Sequence, residues 1–188
     1  MIYLASTSLR RKKILKQLGV TFKVIHPDYG EKKPTGKQHA SPATLVKKHS
    51  LAKAVSCASK VEEGMILGSD TIVYFSGKII GKPKNLTEAF NILKQLQGSW
   101  HTVYTGVAVL RVQKHKIFRK KVFAEKTRVR LKPMSHIAIQ SYLKKINPLD
   151  KAGAYAIQSN RTSIIAEVRG SLSNAIGLPV ERLKQFLV

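Results

Sequence analysis

Acidic residues are scarce in this chain, so few side chains could bind a metal ion or act as a general base. The chain holds ten Asp and Glu against 34 Lys and Arg. One of the acids, Asp70, lies inside the predominantly apolar run 65–73. An aspartate in such a run is costly to bury unless a cation or several hydrogen-bond donors meet it. Asp70 is therefore the first candidate for a metal ligand or general base, and a strand-end aspartate paired with a lysine is the alternative.

A second segment, residues 4–11, has the composition of a phosphate-binding site. It reads Leu-Ala-Ser-Thr-Ser-Leu-Arg-Arg, a short apolar strand followed by hydroxyls and arginines at the start of a predicted helix. A helix N-terminus offers free N–H groups and the positive end of the helix dipole, and Arg adds bidentate donors. Ser8, Arg10 and Arg11 are thus candidate phosphate ligands, and an ordinary capped helix with an exposed basic turn is the alternative.

Two lysines and one glutamine complete the candidates. Lys82 follows a predicted strand in the stiff turn 81–83, and Lys53 is flanked by small apolar residues. Either lysine could face an anion or extend its ammonium group to water. Gln158 closes the segment 150–158, whose small residues would let the backbone approach a ligand. Its amide can donate and accept together, which suits a nucleobase edge, and a tight structural turn is the alternative.

Other chemistries find no support in the sequence pattern. The phosphate-binding motif Gly-x-x-x-x-Gly-Lys-[Ser/Thr] does not occur, and the six histidines lack metal-ligand spacing. Cys57 is the only cysteine, which excludes an intrachain disulfide and favours a reducing compartment. The N-terminal apolar run is too short for a signal peptide, and no run approaches the length of a membrane span. We therefore expect a cytoplasmic protein without a membrane segment.

The net charge of +24 favours polyanionic partners: nucleic acid, nucleotides or an anionic surface. The basic residues are dispersed along the whole chain rather than gathered in one tract. A dispersed pattern is typical either of a solvated surface or of nonspecific affinity for nucleic acid. Both interpretations stay open at this point.

The periodicity of apolar residues predicts an α/β fold in one domain spanning residues 1–188. Strands interleave with helices, and two long β-branched runs suggest an antiparallel pair, so we expect a mixed sheet with flanking helices. Strands are predicted at 2–5, 20–25, 65–75, 78–80, 100–112, 116–131 and 163–168. Helices are predicted from the hydroxyl residues 6–8 to about residue 18, and at 41–59, 87–98, 135–145 and 179–187, with Thr87 capping the third.

Six segments, in this order along the chain, resemble the Maf protein family. They are Leu4-Ala5-Ser6-x-Ser8-x-Arg10-Arg11, Ser69-Asp70-Thr71, Gly81-Lys82-Pro83, His101-x-Val103-Tyr104-Thr105-Gly106-Val107, Asp150-Lys151-Ala152-Gly153-Ala154-Tyr155-x-Ile157-Gln158 and Gly177-Leu178-Pro179. The resemblance runs from about residue 2 to residue 187. It implies a mixed, twisted α/β sheet in two lobes around a central cleft, related to the inosine triphosphate pyrophosphatases.

The same resemblance implies a role for each matching position. Asp70 would be the proton acceptor, either activating water or holding the cation that does so, and Glu31 would be the second acid. The implied cofactor is a divalent cation, Mg²⁺ or Mn²⁺, held by Asp70 and Glu31. The implied triphosphate contacts are Ser8, Arg10, Arg11, Lys53 and Lys82, and the implied determinants of substrate choice are Arg11, Thr71 and Gln158.

The expected function is hydrolysis of a nucleoside triphosphate to the monophosphate and pyrophosphate. Segment 150–158 is similar to the family branch that acts on dTTP and UTP rather than the branch that acts on 7-methyl-GTP. The chain departs from the family pattern at Leu9, where proline is usual, and at Gly30, where an acid is common. It also departs at 159–162, where the family has a typically glycine-rich stretch. Two rivals stay open: a nucleic-acid-binding or septation-regulating protein with little catalysis, and a phosphohydrolase that releases inorganic phosphate. A homodimer is compatible with the sequence.

Overall fold

One seven-stranded sheet organises the molecule. The computed structural model describes residues 1–30, 40–157 and 164–187. The strands are β1 (Ile2–Ala5), β2 (Phe22–Val24), β3 (Glu63–Phe75), β4 (Lys78–Ile80), β5 (Trp100–Gln113), β6 (Lys116–Leu131) and β7 (Ile165–Arg169). Their order is β2-β1-β3-β5-β6-β7, with β4 also paired to β3. β1 runs parallel to β2 and β3, and all other pairs are antiparallel, so the expected mixed α/β sheet is confirmed.

Helices cover both faces of this sheet. They are α1 (Leu9–Gln17), α2 (Pro42–Val55), α3 (Leu86–Leu96), α4 (His136–Leu143), α5 (Leu172–Ile176) and α6 (Val180–Leu187), with 3₁₀ turns at Ala58–Lys60 and Ala152–Ala154. No helix within the described ranges is long and apolar enough to cross a membrane.

The long strands β3 and β5 join two lobes. Because side chains alternate between the faces of a strand, Leu67 and Val73 point to the same face while Ile66 points to the other. Leu67 packs in one buried cluster with α1 and α6, whereas Val73 packs in another with α3 and α4. Ile66 packs on the opposite face against Ala54 of α2. The two helix groups thus leave a cleft between them along β3.

Three local details differ from the sequence prediction. α2 ends at Val55 instead of reaching residue 59, and a separate 3₁₀ turn follows. Thr87 does not cap α3; the side chain of Asn85 accepts a hydrogen bond from the Glu88 N–H at 2.8 Å. Asparagine is a stronger N-cap than threonine, which explains the earlier start. Ser8 is the N-cap of α1, but its side chain makes no capping hydrogen bond.

Candidate active site

The cleft opens where the central strand β3 lacks a neighbour on one edge. β1 pairs with residues 65–68 of β3 and β4 pairs with residues 73–75, so within the described chain residues 69–72 have no strand partner on that side. A cavity of about 1480 Å³ lies against this gap. Seven of the predicted site residues line it: Ser8, Arg10, Arg11, Lys53, Asp70, Thr71 and Lys82. The other two, Glu31 and Gln158, lie outside the described residues.

Two glycines allow α2 to approach the sheet closely at this point. A Cβ on Gly106 would lie 2.1 Å from the carbonyl oxygen of Val46, and one on Gly68 would lie 2.3 Å from that of Ser50. Real Cβ atoms do not tolerate such distances, so only glycine fits at either position. Gly106 is the direct partner of Asp70 in the β3–β5 register. The close approach therefore sets α2 against the strand position that carries Asp70.

α2 delivers a lysine to the buried aspartate. The Asp70 residue is 5% exposed, and the Nζ of Lys53 lies 2.7 Å from its Oδ1. Both side chains are largely removed from water, where a charge-assisted hydrogen bond is stronger than at the surface. The alternative prediction was therefore right about the lysine partner but wrong about the strand end. Asp70 lies in the middle of β3 and forms a buried ion pair at the wall of the cleft.

The pKa of Asp70 is held well below its ordinary value. Burial acts to raise this pKa, but hydrogen bonding from His49, the charge and hydrogen bond of Lys53, and the charge of Arg11 together outweigh it. The carboxyl group is therefore ionised at neutral pH. A carboxylate with so low a pKa is a poor proton acceptor, since general bases work best with a pKa near the operating pH. It is well suited to holding a cation.

His49 belongs to the site although the sequence pattern did not indicate it. Its Nδ1 lies 3.5 Å from Asp70 Oδ2, and the ring packs edge-on against Tyr29 at a centroid distance of 5.9 Å. The six histidines lack metal-ligand spacing, which is why none of them was a candidate. The usable signal was helical: His49 and Lys53 are four residues apart and so share one face of α2.

Arg11 is bonded to the protein itself. Its Nε donates to the carbonyl oxygen of Gly177 at 2.9 Å, while its two terminal nitrogens donate to Ser6 Oγ and Thr71 Oγ1, each at 3.0 Å. The hydroxyl of Ser69 also donates to the Gly177 carbonyl oxygen, at 3.2 Å. The guanidinium thus ties the start of α1 to β3 and to the turn before α6, and one of its edges borders the cleft.

The turn carrying Lys82 is fixed against the segment at 150–157. The N–H of Gly153 donates to the carbonyl oxygen of Gly81 at 3.2 Å, and Gly153 adopts φ +75°, a left-handed conformation that favours glycine. Behind this contact, Tyr155 OH and His101 Nε2 are 2.6 Å apart in the buried core. The opposite wall of the cleft is therefore also a rigid part of the fold.

The cleft is strongly cationic. Its described lining contains seven Lys and Arg against three acids. One cation, Arg10, forms a long ion pair of 3.5 Å with Asp150 at the rim. An excess of fixed positive charge in a groove favours a ligand with several negative charges, such as a polyphosphate.

The described part of the chain has no group of three or more His, Cys, Asp or Glu placed to form a metal cage. This arrangement still fits Mg²⁺, which binds through one or two carboxylates together with substrate phosphates rather than in an all-protein cage. Asp70 supplies one ionised carboxylate at the cleft wall. The residues present thus fit a cation that is completed by the substrate.

Comparison with known proteins assigns the chain to a family. A family model described as Maf-like protein matches residues 1–188. A dTTP/UTP pyrophosphatase of Thermosipho melanesiensis is 42% identical over 99% of this chain and 96% of its own length. A dTTP/UTP pyrophosphatase of Pelotomaculum thermopropionicum is 40% identical over 99% of this chain and 94% of its own length.

Solved structures show weaker similarity. A dITP/XTP pyrophosphatase from Mycobacterium abscessus aligns with 69% of this chain and 73% of its own, at 12% identity and a TM-score of 0.39. The Ham1 protein of Staphylococcus aureus aligns with 69% of this chain and 71% of its own, at 13% identity and a TM-score of 0.43. The family assignment rests on the sequence matches, which span the whole length at about 40% identity: the chain belongs to the Maf family.

Proposed function

We propose that the protein hydrolyses nucleoside triphosphates, dTTP and UTP foremost, to the nucleoside monophosphate and pyrophosphate. The observation that carries this proposal is the ionised Asp70, paired with Lys53 in a cleft lined by cations. The relatives named dTTP/UTP pyrophosphatases support the reaction and the choice of pyrimidine nucleotides. They also favour catalysis over the rival function of a nucleic-acid-binding regulator with little enzymatic activity.

The reaction proceeds by in-line attack of a water oxygen on the α-phosphorus. The bond between the α-phosphorus and the bridging oxygen to the β-phosphorus breaks, and pyrophosphate leaves with that oxygen. The water proton is released as the monophosphate forms. Charge accumulates on the leaving pyrophosphate, so cations positioned along the β- and γ-phosphates lower the barrier. Lys82 and Arg10 have this role in the proposal, and the hydroxyl of Ser8, the N-cap of α1, donates a hydrogen bond to the phosphates.

Asp70 acts by its charge in this proposal rather than as the proton acceptor. Its lowered pKa makes the carboxylate a weak base but keeps it ionised at neutral pH. A divalent cation bound by Asp70, Glu31 and phosphate oxygens would neutralise charge on the triphosphate and orient it. Lys53 holds one carboxylate oxygen at 2.7 Å and fixes the direction in which the other oxygen points.

Base recognition is assigned to Gln158. In the proposal Gln158 pairs with the imide edge of thymine or uracil, because an amide can donate and accept at once. Thr71, next to Asp70 on β3, acts on substrate choice through Arg11 in this proposal, since its hydroxyl lies 3.0 Å from Arg11 and 3.0 Å from the Thr105 hydroxyl. The buried, unpaired Cys57 is consistent with a reducing compartment, so a cytoplasmic location is part of the proposal.

Product analysis on a panel of nucleotides tests the proposal. The purified protein is incubated with dTTP, UTP, CTP, ATP, GTP and 7-methyl-GTP, each with Mg²⁺ or Mn²⁺. Separate assays measure pyrophosphate and inorganic phosphate, and chromatography identifies the nucleotide product. We expect monophosphate and pyrophosphate in equal amounts, with dTTP and UTP turned over fastest. Diphosphate with inorganic phosphate would instead support the rival phosphohydrolase, and no turnover of any nucleotide would contradict both.

A further inference from the structure

One face of the sheet has no helix over it among the described residues at the end that carries β7. The strands alternate strictly in this region. Val73, Val103 and Val129 are buried beneath α3 and α4 on one face. Their chain neighbours Tyr74, Thr102 and Tyr104 point to the other face and remain partly exposed. These side chains are therefore accessible from solvent and not packed under a helix of the described residues.

Aromatic and basic side chains occupy this exposed side. Tyr74 and Tyr104 contact each other edge to face at 6.3 Å. Trp100 lies two residues before Thr102 on the same side of β5, opposite Arg130. The surface, called here the aromatic-basic face, comprises Tyr74, Trp100, Tyr104, Lys126, Arg128, Arg130 and Arg169. None of these residues is among those that line the cleft.

Three guanidinium groups are held over the single indole of this face. The Cζ atoms of Arg128, Arg130 and Arg169 lie 4.8, 5.7 and 4.7 Å from the Trp100 ring centroid. Cation–π contacts of this kind fix long side chains that are otherwise mobile. Ordering these arginines before a ligand arrives reduces the entropy that binding must overcome.

The arrangement leaves positive charge without compensation. Arg128 is the direct cross-strand partner of Arg169, and like charges in such positions destabilise a sheet. Glu167 is shared between Arg130, at 3.1 Å, and Arg169, at 2.7 Å. Within the described chain, no carboxylate forms an ion pair with Arg128 or Lys126. An anion bound here would therefore relieve a repulsion that the protein otherwise tolerates.

We propose that the aromatic-basic face binds single-stranded nucleic acid, a function separate from the proposed hydrolysis in the cleft. Phosphates meet the guanidinium and ammonium groups, including the arginines held over Trp100, and unstacked bases lie on the rings of Tyr74 and Tyr104, as in open sheets that bind single strands. In a duplex the faces of the bases are stacked on each other, so a duplex could contact this face only through its phosphates. The chain's +24 charge supplies long-range attraction to any polyanion; the rings of this face give it a preference for single strands.

Fluorescence titration of the full-length protein tests this assignment, because Trp100 is the only tryptophan in the chain. The probe is a fluorescein-labelled oligothymidylate about 15 nucleotides long, compared with a duplex of equal length. Anisotropy of the probe gives affinity, and Trp100 emission in a parallel unlabelled titration reports on the face itself. We expect the single strand to bind more tightly than the duplex and to change the Trp100 emission.

Matched variants separate a built site from general charge. Arg128→Glu should weaken binding roughly tenfold and reduce the salt dependence, since each lost phosphate contact lowers the slope of log K on log salt by about 0.7. Arg119→Glu, which changes net charge equally at the exposed start of β6, should have a much smaller effect. Tyr74→Leu should cost about fivefold or more through lost stacking. Circular dichroism and thermal melting verify that each variant is folded.

Several results would overturn the assignment. Equal losses for Arg128→Glu and Arg119→Glu would mean that only net charge matters. If dTTP displaced the oligonucleotide, the oligonucleotide would be bound in the cleft and not on this face. A change in Trp100 emission with protein concentration alone, accompanied by dimer formation, would make a second copy of the chain the occupant.

Turnover of dTTP, measured on the same samples, should be unchanged in Arg128→Glu. If the wild-type protein did not turn over dTTP, the proposed hydrolysis would be contradicted, but the proposal for the aromatic-basic face would be unaffected.

Discussion

Lys53 Nζ lies 2.7 Å from Asp70 Oδ1, and both side chains are largely buried at the wall of the cleft. The two residues come from α2 and β3, which approach closely because Gly68 and Gly106 leave room for the helix backbone. The pair thus depends on glycines that carry no chemistry. It joins the packing of the sheet to the electrostatics of the site.

Replacing Lys53 by methionine should raise the pKa of Asp70. Burial acts to raise that pKa, and without the charge and hydrogen bond of Lys53 less would oppose it. Because the ionised form is the active one in this account, the acidic limb of the kcat profile should move to higher pH. A pH–rate series from pH 4 to 9 checks the shift. Lys60→Met, which removes an exposed lysine paired with Asp28, should leave the profile in place.

Alanine at Gly106 should disturb both stability and catalysis. Its Cβ would meet the carbonyl oxygen of Val46 at 2.1 Å, so α2 must move away from the sheet. Overpacking of this kind costs about 1–3 kcal/mol, measurable by urea unfolding. Displacement of α2 should also separate Lys53 from Asp70 and reduce kcat. Gly30→Ala is the control for stability, since no described residue lies within 4 Å of a Cβ at that position. A Gly106→Ala protein as stable and active as wild type would contradict the packing argument.

His101 should make folding stability depend on pH below neutrality. Burial lowers its pKa from 6.5 to about 4, so between these values the unfolded chain binds a proton that the folded protein does not. The free energy of unfolding should therefore fall as pH drops from about 6.5 to 4, by up to roughly 1.4 kcal/mol per pH unit. In His101→Gln this component should vanish, whereas the surface variant His136→Gln should retain it. Chemical denaturation at a series of pH values measures both.

Arg11 should matter for stability as well as for turnover. Its guanidinium donates to Gly177 O, Ser6 Oγ and Thr71 Oγ1, and lysine cannot reproduce that geometry. Arg11→Lys should lower the free energy of unfolding by about 1–3 kcal/mol. Arg10→Lys, at an exposed pair with Asp150, should cost less than about 1 kcal/mol. If Arg11→Lys raised KM without any loss of stability, the guanidinium would be a substrate ligand only.

Local pattern was sufficient to predict much of the fold. β1 at Ile2–Ala5 and β4 at Lys78–Ile80 have the predicted bounds, because each is a short apolar run between clear turn or cap signals. Asp70 could be singled out because an acid in an apolar run has few explanations. These inferences need only neighbours in sequence, where hydrophobic periodicity and capping preferences act.

Contacts between distant segments could not be predicted in the same way. The bond from Arg11 to Gly177 joins residues 166 positions apart. The approach of His49 to Asp70 depends on how closely α2 packs at Gly106, which periodicity does not encode. Likewise, local pattern did not indicate that the carbonyl oxygen of Gly177 receives hydrogen bonds from both Arg11 and Ser69. The sequence also indicated no location for its excess charge, since the aromatic-basic face exists only once the strands are paired.

The most direct test of the account is the product yield of Asp70→Asn with dTTP. Asparagine keeps the size of the side chain and an acceptor for Lys53 but removes the charge that defines the site. Release of monophosphate and pyrophosphate should fall at least about 100-fold, with an unchanged circular dichroism spectrum, while Asp28→Asn on the surface keeps full activity. A folded Asp70→Asn protein that released both products at the wild-type rate would contradict the role of the Asp70 charge in hydrolysis.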